Sequence, residues 1–288
     1  PLRKFPMNSA NPTSMTQALC LPACCRRQHS FVSITPVSDL GQNRSLGSST
    51  LKKRFIHFAV VAALAIGMAT TVHAGSVAGK IVFEGEPIVM KEVDTSSVPE
   101  CHAMHKDKPI VREELVLGPG QTMANIYVEV TKGVPQKDYP APTEPIVLTQ
   151  EGCRYSPRMV AVRVGQPLKV LNPDGILHNV NYLPKVNAPK NFAMPANMKE
   201  KDLTFEKAEA PFMFKCDIHP WMGAYCAVVS HPFFSITKED GAYKIEGLEP
   251  GEYEITAYHE RLPKQVATVK VADGEVAQDF KFSRPGKK

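Results

Sequence analysis

From Gly75 onward the sequence is broken into short apolar runs bounded by Gly, Pro, Asn and Asp, and no helical apolar period persists through any of them. The runs are Lys80 to Phe83, Ala124 to Val130, Ile146 to Leu148, Met159 to Val164, Leu168 to Leu171, Met213 to Cys216, Ala224 to Val229, Ala242 to Ile245, Gly251 to His259, Gln265 to Val271 and Val276 to Phe282. Segments this short close a core only by stacking one sheet on another. The expected fold class is therefore all-β, a sandwich or two small sandwiches side by side, with any helix confined to a loop. The Pro-rich stretch Val134 to Pro145 and the Pro, Asn and Lys-rich stretch Pro184 to Lys201 are expected to be the long connections.

Charge decides which partners are plausible. The 288 residues carry a formal net charge of +5, yet residues 75–288 hold 26 Lys and Arg against 28 Asp and Glu. The basicity belongs to the first 74 residues, so nucleic acid is not an expected partner. Those residues include Lys52-Lys53-Arg54, an apolar run Phe58 to Val72 and then Val72-His73-Ala74, the three parts of a secretory signal peptide over 52–74 with cleavage expected after Ala74. The run is shorter than a spanning helix needs, so membrane contact is expected only if this segment stays uncleaved. Residues 1–51 show no hydrophobic period and read as a non-native or disordered leader, in which Cys20, Cys24 and Cys25 lack a nearby His at a regular metal-binding spacing.

The chemistry concentrates in Lys215-Cys216-Asp217-Ile218-His219-Pro220-Trp221-Met222, where thiol, imidazole and thioether recur with two residues between each. A loop between strands can wrap such a set around one ion. Soft sulfurs with imidazole nitrogens favour copper, and a trigonal His₂Cys set with a weak axial Met is an electron-transfer geometry. The second imidazole is His178, in Leu171-Asn172-Pro173-Asp174-Gly175-Ile176-Leu177-His178-Asn179-Val180. Zinc would accept Cys216 and the two His, but a thioether is a poor fourth ligand for it. Cys101-His102-Ala103-Met104-His105 lacks the second Cys of a haem-attachment motif.

These two segments resemble the copper motifs of the cupredoxins, with a His-Asn pair upstream of a Cys, His, Met loop; the loop C-x₂-H-x₂-M is most similar to that of the amicyanins. The resemblance implies a cupredoxin-like Greek-key β-sandwich over 144–231 that holds one type 1 copper through His178, Cys216, His219 and Met222. It also implies that Asn179 braces the ligand loop by hydrogen bonding. In that family the His within the loop reaches the surface through an apolar patch, so His219 is expected to be the electron exit, with Pro220 and Trp221 around it.

A second resemblance falls on Asp240-Gly241-Ala242-Tyr243-Lys244-Ile245-Glu246-Gly247-Leu248-Glu249-Pro250-Gly251-Glu252-Tyr253, which is similar to carboxypeptidase-regulatory-like, transthyretin-like modules. It implies an adjoining transthyretin-like β-sandwich over 232–284, with 75–143 supplying its first strands and the copper block inserted within it. It carries no peptidase residues, and no catalytic constellation is present in the sequence. Cys101 and Cys153 are expected to pair if the chain is exported to an oxidising compartment such as the periplasm, the alternative being two separate buried thiols. Cys226 is expected in the core, and His102, His105, His231 and His259 as structural or solvated residues. The functional expectation is an exported one-electron carrier between redox partner proteins and not an enzyme, with a non-redox copper-binding or surface-attachment module as the alternative.

Overall fold

A computed structural model describes residues 74–285; the leader and nearly all of the expected signal segment lie outside the described residues. Among the described residues, seventeen strands carry the fold: β1 (Gly75–Glu84), β2 (Tyr127–Lys132), β3 (Ile146–Gln150), β4 (Tyr155–Ser156), β5 (Met159–Arg163), β6 (Leu168–Leu171), β7 (His178–Tyr182), β8 (Lys190–Met194), β9 (Glu200–Leu203), β10 (Glu209–Lys215), β11 (Gly223–Val229), β12 (Phe234–Ile236), β13 (Ala242–Leu248), β14 (Gly251–Tyr258), β15 (Gln265–Val271), β16 (Glu275–Ala277) and β17 (Phe280–Ser283). One six-residue helix, α1 (Pro99–Met104), and one 3₁₀ turn at Pro119–Gln121 interrupt them. The fold is all-β.

The strands form two pairs of sheets around two cores. One pair is β5-β11-β10-β7-β8 and β4-β3-β6-β9, and it encloses Leu148, Val160, Val180, Phe214 and Cys226. Alternating side chains fill it: in β10 Phe212 and Phe214 point inward while Pro211 and Met213 are less buried. The other pair joins β1 with β13, β16 and β17, and β12-β2-β14-β15. Ile81 of β1 and Ile255 of β14 lie on different sheets, yet both are buried in the same second core. Apart from the α1 region, the segments before Ile146 and after Val229 thus share one core, while the strands between them build the other.

The junction between the cores explains a pattern that alternation alone would not give. All five residues of β5 are buried. Val160 and Val162 face the first core, whereas Met159 and Ala161 meet Tyr127 and the partly buried Phe234 and Tyr258 from the second pair of sheets. The strand is covered on both faces. An ion pair reinforces the seam: the Arg158 guanidinium donates from Nε and an Nη to the two Glu260 carboxylate oxygens at 2.8 Å each and from its other Nη to the Gly223 carbonyl at 2.9 Å.

The expected connection Pro184 to Lys201 is corrected by the structure, which places β8 and β9 within or across its end. Both are largely exposed and show little apolar alternation; their backbone pairing to β7 and β6 makes them strands. Lys and Asn suit such outer positions. The run Val276 to Phe282 likewise divides into β16 and β17, each parallel to β1. Gly241 turns the chain into β13 at φ +66°, where a Cβ would stand 2.6 Å from the Ile81 carbonyl oxygen.

Between β1 and β2 the chain leaves the second core. Val93 and Ile110, and Lys91 and Arg112, are joined by backbone hydrogen bonds of 2.8 and 3.0 Å, so the ends of this excursion are clasped together. At its tip, Val98 and Cys101 of the α1 region pack onto the first core. That excursion forms a cap.

Candidate metal centre

Strand pairing brings the ligand segments together. His178 opens β7, Cys216 follows β10, and β7 and β10 are antiparallel neighbours with Lys215 opposite Asn181. After Cys216 the chain turns back into β11, and two backbone bonds close the turn: Met222 N–H to the His219 carbonyl at 2.9 Å and Cys216 N–H to the Met222 carbonyl at 3.2 Å. The spacing of two residues between Cys216, His219 and Met222 is what this tight turn requires.

Three donors converge. His178 Nδ1 and His219 Nδ1 are 3.0 Å apart, and Cys216 Sγ is 3.4 Å from His219 Nδ1. The donor atoms of all three residues lie within 4.8 Å of one another, and all are buried. Met222, 1% exposed, belongs to the same core. Burial pushes the Cys216 thiol up, but hydrogen bonds from His178, His219 and the Asn179 backbone N–H outweigh it and bring the pKa down to about 6. A thiolate at neutral pH is the state a metal needs.

Asn179 takes the bracing position. Its backbone N–H points at Cys216 Sγ at 3.4 Å, its side-chain carbonyl accepts the Asp217 N–H, and its amide N–H donates to Asn191 Oδ1 at 2.6 Å. Asp217 in turn accepts from Asn181 at 2.8 Å and Asn191 at 2.9 Å and pairs with Lys215 at 2.7 Å. The ion pair to Lys215, then the Asn donors, holds its carboxyl well below the usual carboxylate range. Beneath the strand, Gln150 and Tyr155 both donate to the Asn179 carbonyl.

Sequence reasoning passed over Asp174. Its Oδ2 stands 2.9 Å from His178 Nε2, so that nitrogen donates to the carboxylate and Nδ1 is the ring nitrogen that faces His219. The same carboxylate accepts the N–H groups of Gly152 at 2.7 Å and Cys153 at 2.8 Å. Burial works against ionisation, but the bonds from His178, Cys153 and Gly152 prevail and lower its pKa. The available signal was its place four residues before His178, in the turn Asn172-Pro173-Asp174-Gly175.

The expected exposure of His219 is overturned: it is 1% exposed. The cap accounts for this. Cys101 of α1 is joined to Cys153 by a disulfide with a Cα separation of 5.8 Å, and Cys101, Cys153 and His219 place their donor atoms within 4.8 Å of one another. The Trp221 indole N–H donates to the Cys153 carbonyl at 3.0 Å, and its ring lies 5.5 Å from that of His219. Trp221 is half-buried, while Pro220 remains exposed.

The other histidines among the described residues have structural partners. His105 Nε2 donates to the Gly152 carbonyl at 2.7 Å; His259 Nδ1 accepts the N–H groups of Arg261 and Leu262, each at 3.1 Å. His231 Nδ1 accepts from the Phe233 N–H at 3.3 Å. Burial lowers both His231 and His259 to about 4. His102 is exposed, with Nδ1 3.4 Å from Thr95 Oγ1. Cys226 is buried in the first core, and burial pushes its thiol up.

No protein-family model matches the chain, and no curated protein matches it. Among solved structures, the reduced state of an amicyanin mutant is 21% identical over 35% of this chain and 97% of that chain, with a TM-score of 0.26. A purple cupredoxin from Nitrosopumilus maritimus is 21% identical over 29% and 98%, at 0.24. A copper-containing nitrite reductase from Thermus scotoductus SA-01 is 20% identical over 35% and 25%, at 0.26.

Proposed function

We propose that this chain binds one copper ion through His178, Cys216 and His219, with Met222 as a weak axial donor, and carries single electrons between redox partner proteins. The convergence of two imidazole Nδ1 atoms and one thiolate sulfur in a buried pocket supports the reading. Two nitrogens and a thiolate with a thioether suit both Cu(I) and Cu(II), and bound copper would supply the one-electron couple. The protein's part is to fix the donors. Asp174 holds the His178 tautomer, Asn179 and Asp217 hold the loop, and the cap keeps water from His219. With His219 covered, the proposed electron route to the surface runs through the half-buried ring of Trp221, 5.5 Å away.

The reading is of a carrier and not of an enzyme. Export to an oxidising compartment is part of the proposal, supported by the Cys101–Cys153 disulfide. The test is optical and EPR spectroscopy of the copper-loaded protein. An electron carrier shows intense visible absorption that bleaches with reductant and returns with oxidant; Cys216→Ser loses the colour and keeps the fold by circular dichroism. Copper held only as colourless Cu(I) would instead support the non-redox binding module, and a blue Cys216→Ser variant would sink the ligand assignment.

A further inference from the structure

The disulfide that seals the metal centre is itself made of metal-binding atoms. Cys101, Cys153 and His219 bring two sulfurs and an imidazole within 4.8 Å of one another, all buried. Neither cysteine belongs to the set built on Cys216. While the sulfurs are bonded to each other they are poor donors, but as thiolates they are soft ligands of the kind that select Cu(I).

Contacts besides the S–S bond help to hold these residues in place. The Cys153 N–H is bound by Asp174 and its carbonyl accepts the Trp221 indole N–H, while the Gly152 carbonyl accepts from His105. Cys101 is anchored by α1 in the first core, where it is fully buried. Gly152 and Cys153 both adopt left-handed backbone, at φ +63° and +51°. That conformation is unfavourable for a cysteine, and hydrogen bonds to the Cys153 backbone N–H and carbonyl hold it here.

We propose that reduction of Cys101–Cys153 creates a second copper(I) site, with the two freed thiolates and His219 as ligands. An external dithiol supplies the two electrons: the S–S bond breaks, two cysteine S–H bonds form, and the dithiol becomes a disulfide. One Cu(I) then displaces the two thiol protons. Because His219 serves both sites, thiol reductants draw copper from the Cys216 centre toward the cap. The two readings share His219 but use different thiolates, so they fail separately.

The experiment uses the chain carrying Cys216→Ser with Cys20, Cys24 and Cys25 also replaced by Ser, in which only the cap can supply paired thiolates. Cu(I) is titrated anaerobically against a chromophoric Cu(I) chelator, with the disulfide intact and after phosphine reduction and removal of the phosphine. The expected result is one Cu(I) bound at least about tenfold more tightly by the reduced chain. That gain should vanish when Cys101→Ser and Cys153→Ser are added, with Cys226 still present, and when His219→Ala is added. Equal affinity in the two redox states overturns the proposal. So does a gain that survives His219→Ala, the signature of thiols in an opened chain. Wild-type oxidised protein that binds no copper sinks the preceding reading alone.

Discussion

Replacing Asp174 probes the coupling between the proposed ligand His178 and the disulfide loop. The carboxylate accepts three hydrogen bonds, from Gly152 N–H at 2.7 Å, Cys153 N–H at 2.8 Å and His178 Nε2–H at 2.9 Å. Bonds to a charged acceptor are worth about 1.5 kcal/mol each at the lower end of their range, so Asp174→Ala should cost roughly 4 kcal/mol of apo-protein stability. Asp174→Asn should cost less, because one amide oxygen can still accept, but its NH₂ then faces a donor. Copper affinity should fall by about 10- to 100-fold in Asp174→Ala, where His178 loses its carboxylate partner, and by less in Asp174→Asn. The folded-state pKa of Asp174 lies below the ordinary 3.8. Its contribution is therefore complete above that value and is lost as pH falls through the folded pKa, which removes the difference between wild type and Asp174→Asn in acid. Urea denaturation across pH and competitive copper titration measure both effects. A cost below about 1 kcal/mol for Asp174→Ala, with unchanged copper affinity, would refute the reasoning.

Three further perturbations follow from the same structure. Removing the disulfide by Cys101→Ser with Cys153→Ser opens a loop with a sequence separation of 52, and chain entropy puts the loss at roughly 4 kcal/mol in urea unfolding; no change in midpoint would contradict it. Met222→Leu should retain copper and raise the reduction potential, which potentiometry reads directly; loss of copper would show that Met222 is no weak axial donor. Glu129 is raised by burial from 4.5 to about 7, so its protonated form favours folding and this stability is lost as pH climbs through that interval. Wild type should lose roughly 3 kcal/mol relative to Glu129→Gln between about pH 5 and pH 8, and parallel pH–stability curves would exclude it.

Much of the sheet structure could be read from alternation. β6 and β15 fall on their expected residues, because Leu168 and Val170 or Val269 and Val271 turn one face to a core while neighbours face outward. β8 and β9 could not be read, since their pairing comes from β7 and β6 and their own side chains are mostly exposed. The fully buried β5 was recognisable as a strand, but its second covered face depends on Tyr127 and Phe234, which lie outside the block that contains it.

The candidate ligands are local chemistry, and the sequence nominated them: Cys216, His219 and Met222 at a spacing one turn can close, with His178 and Asn179 on a strand able to lie beside it. What covers them was decided only by the tertiary structure. Nothing near Cys101 shows that α1 crosses from the excursion between β1 and β2 onto the other core, because that approach is set by two sheets packing and by the bond to Cys153. Side-chain identity fixes which atoms can ligate; long-range packing fixes which of them water can reach, and here it buries His219, which the family resemblance had placed at the surface.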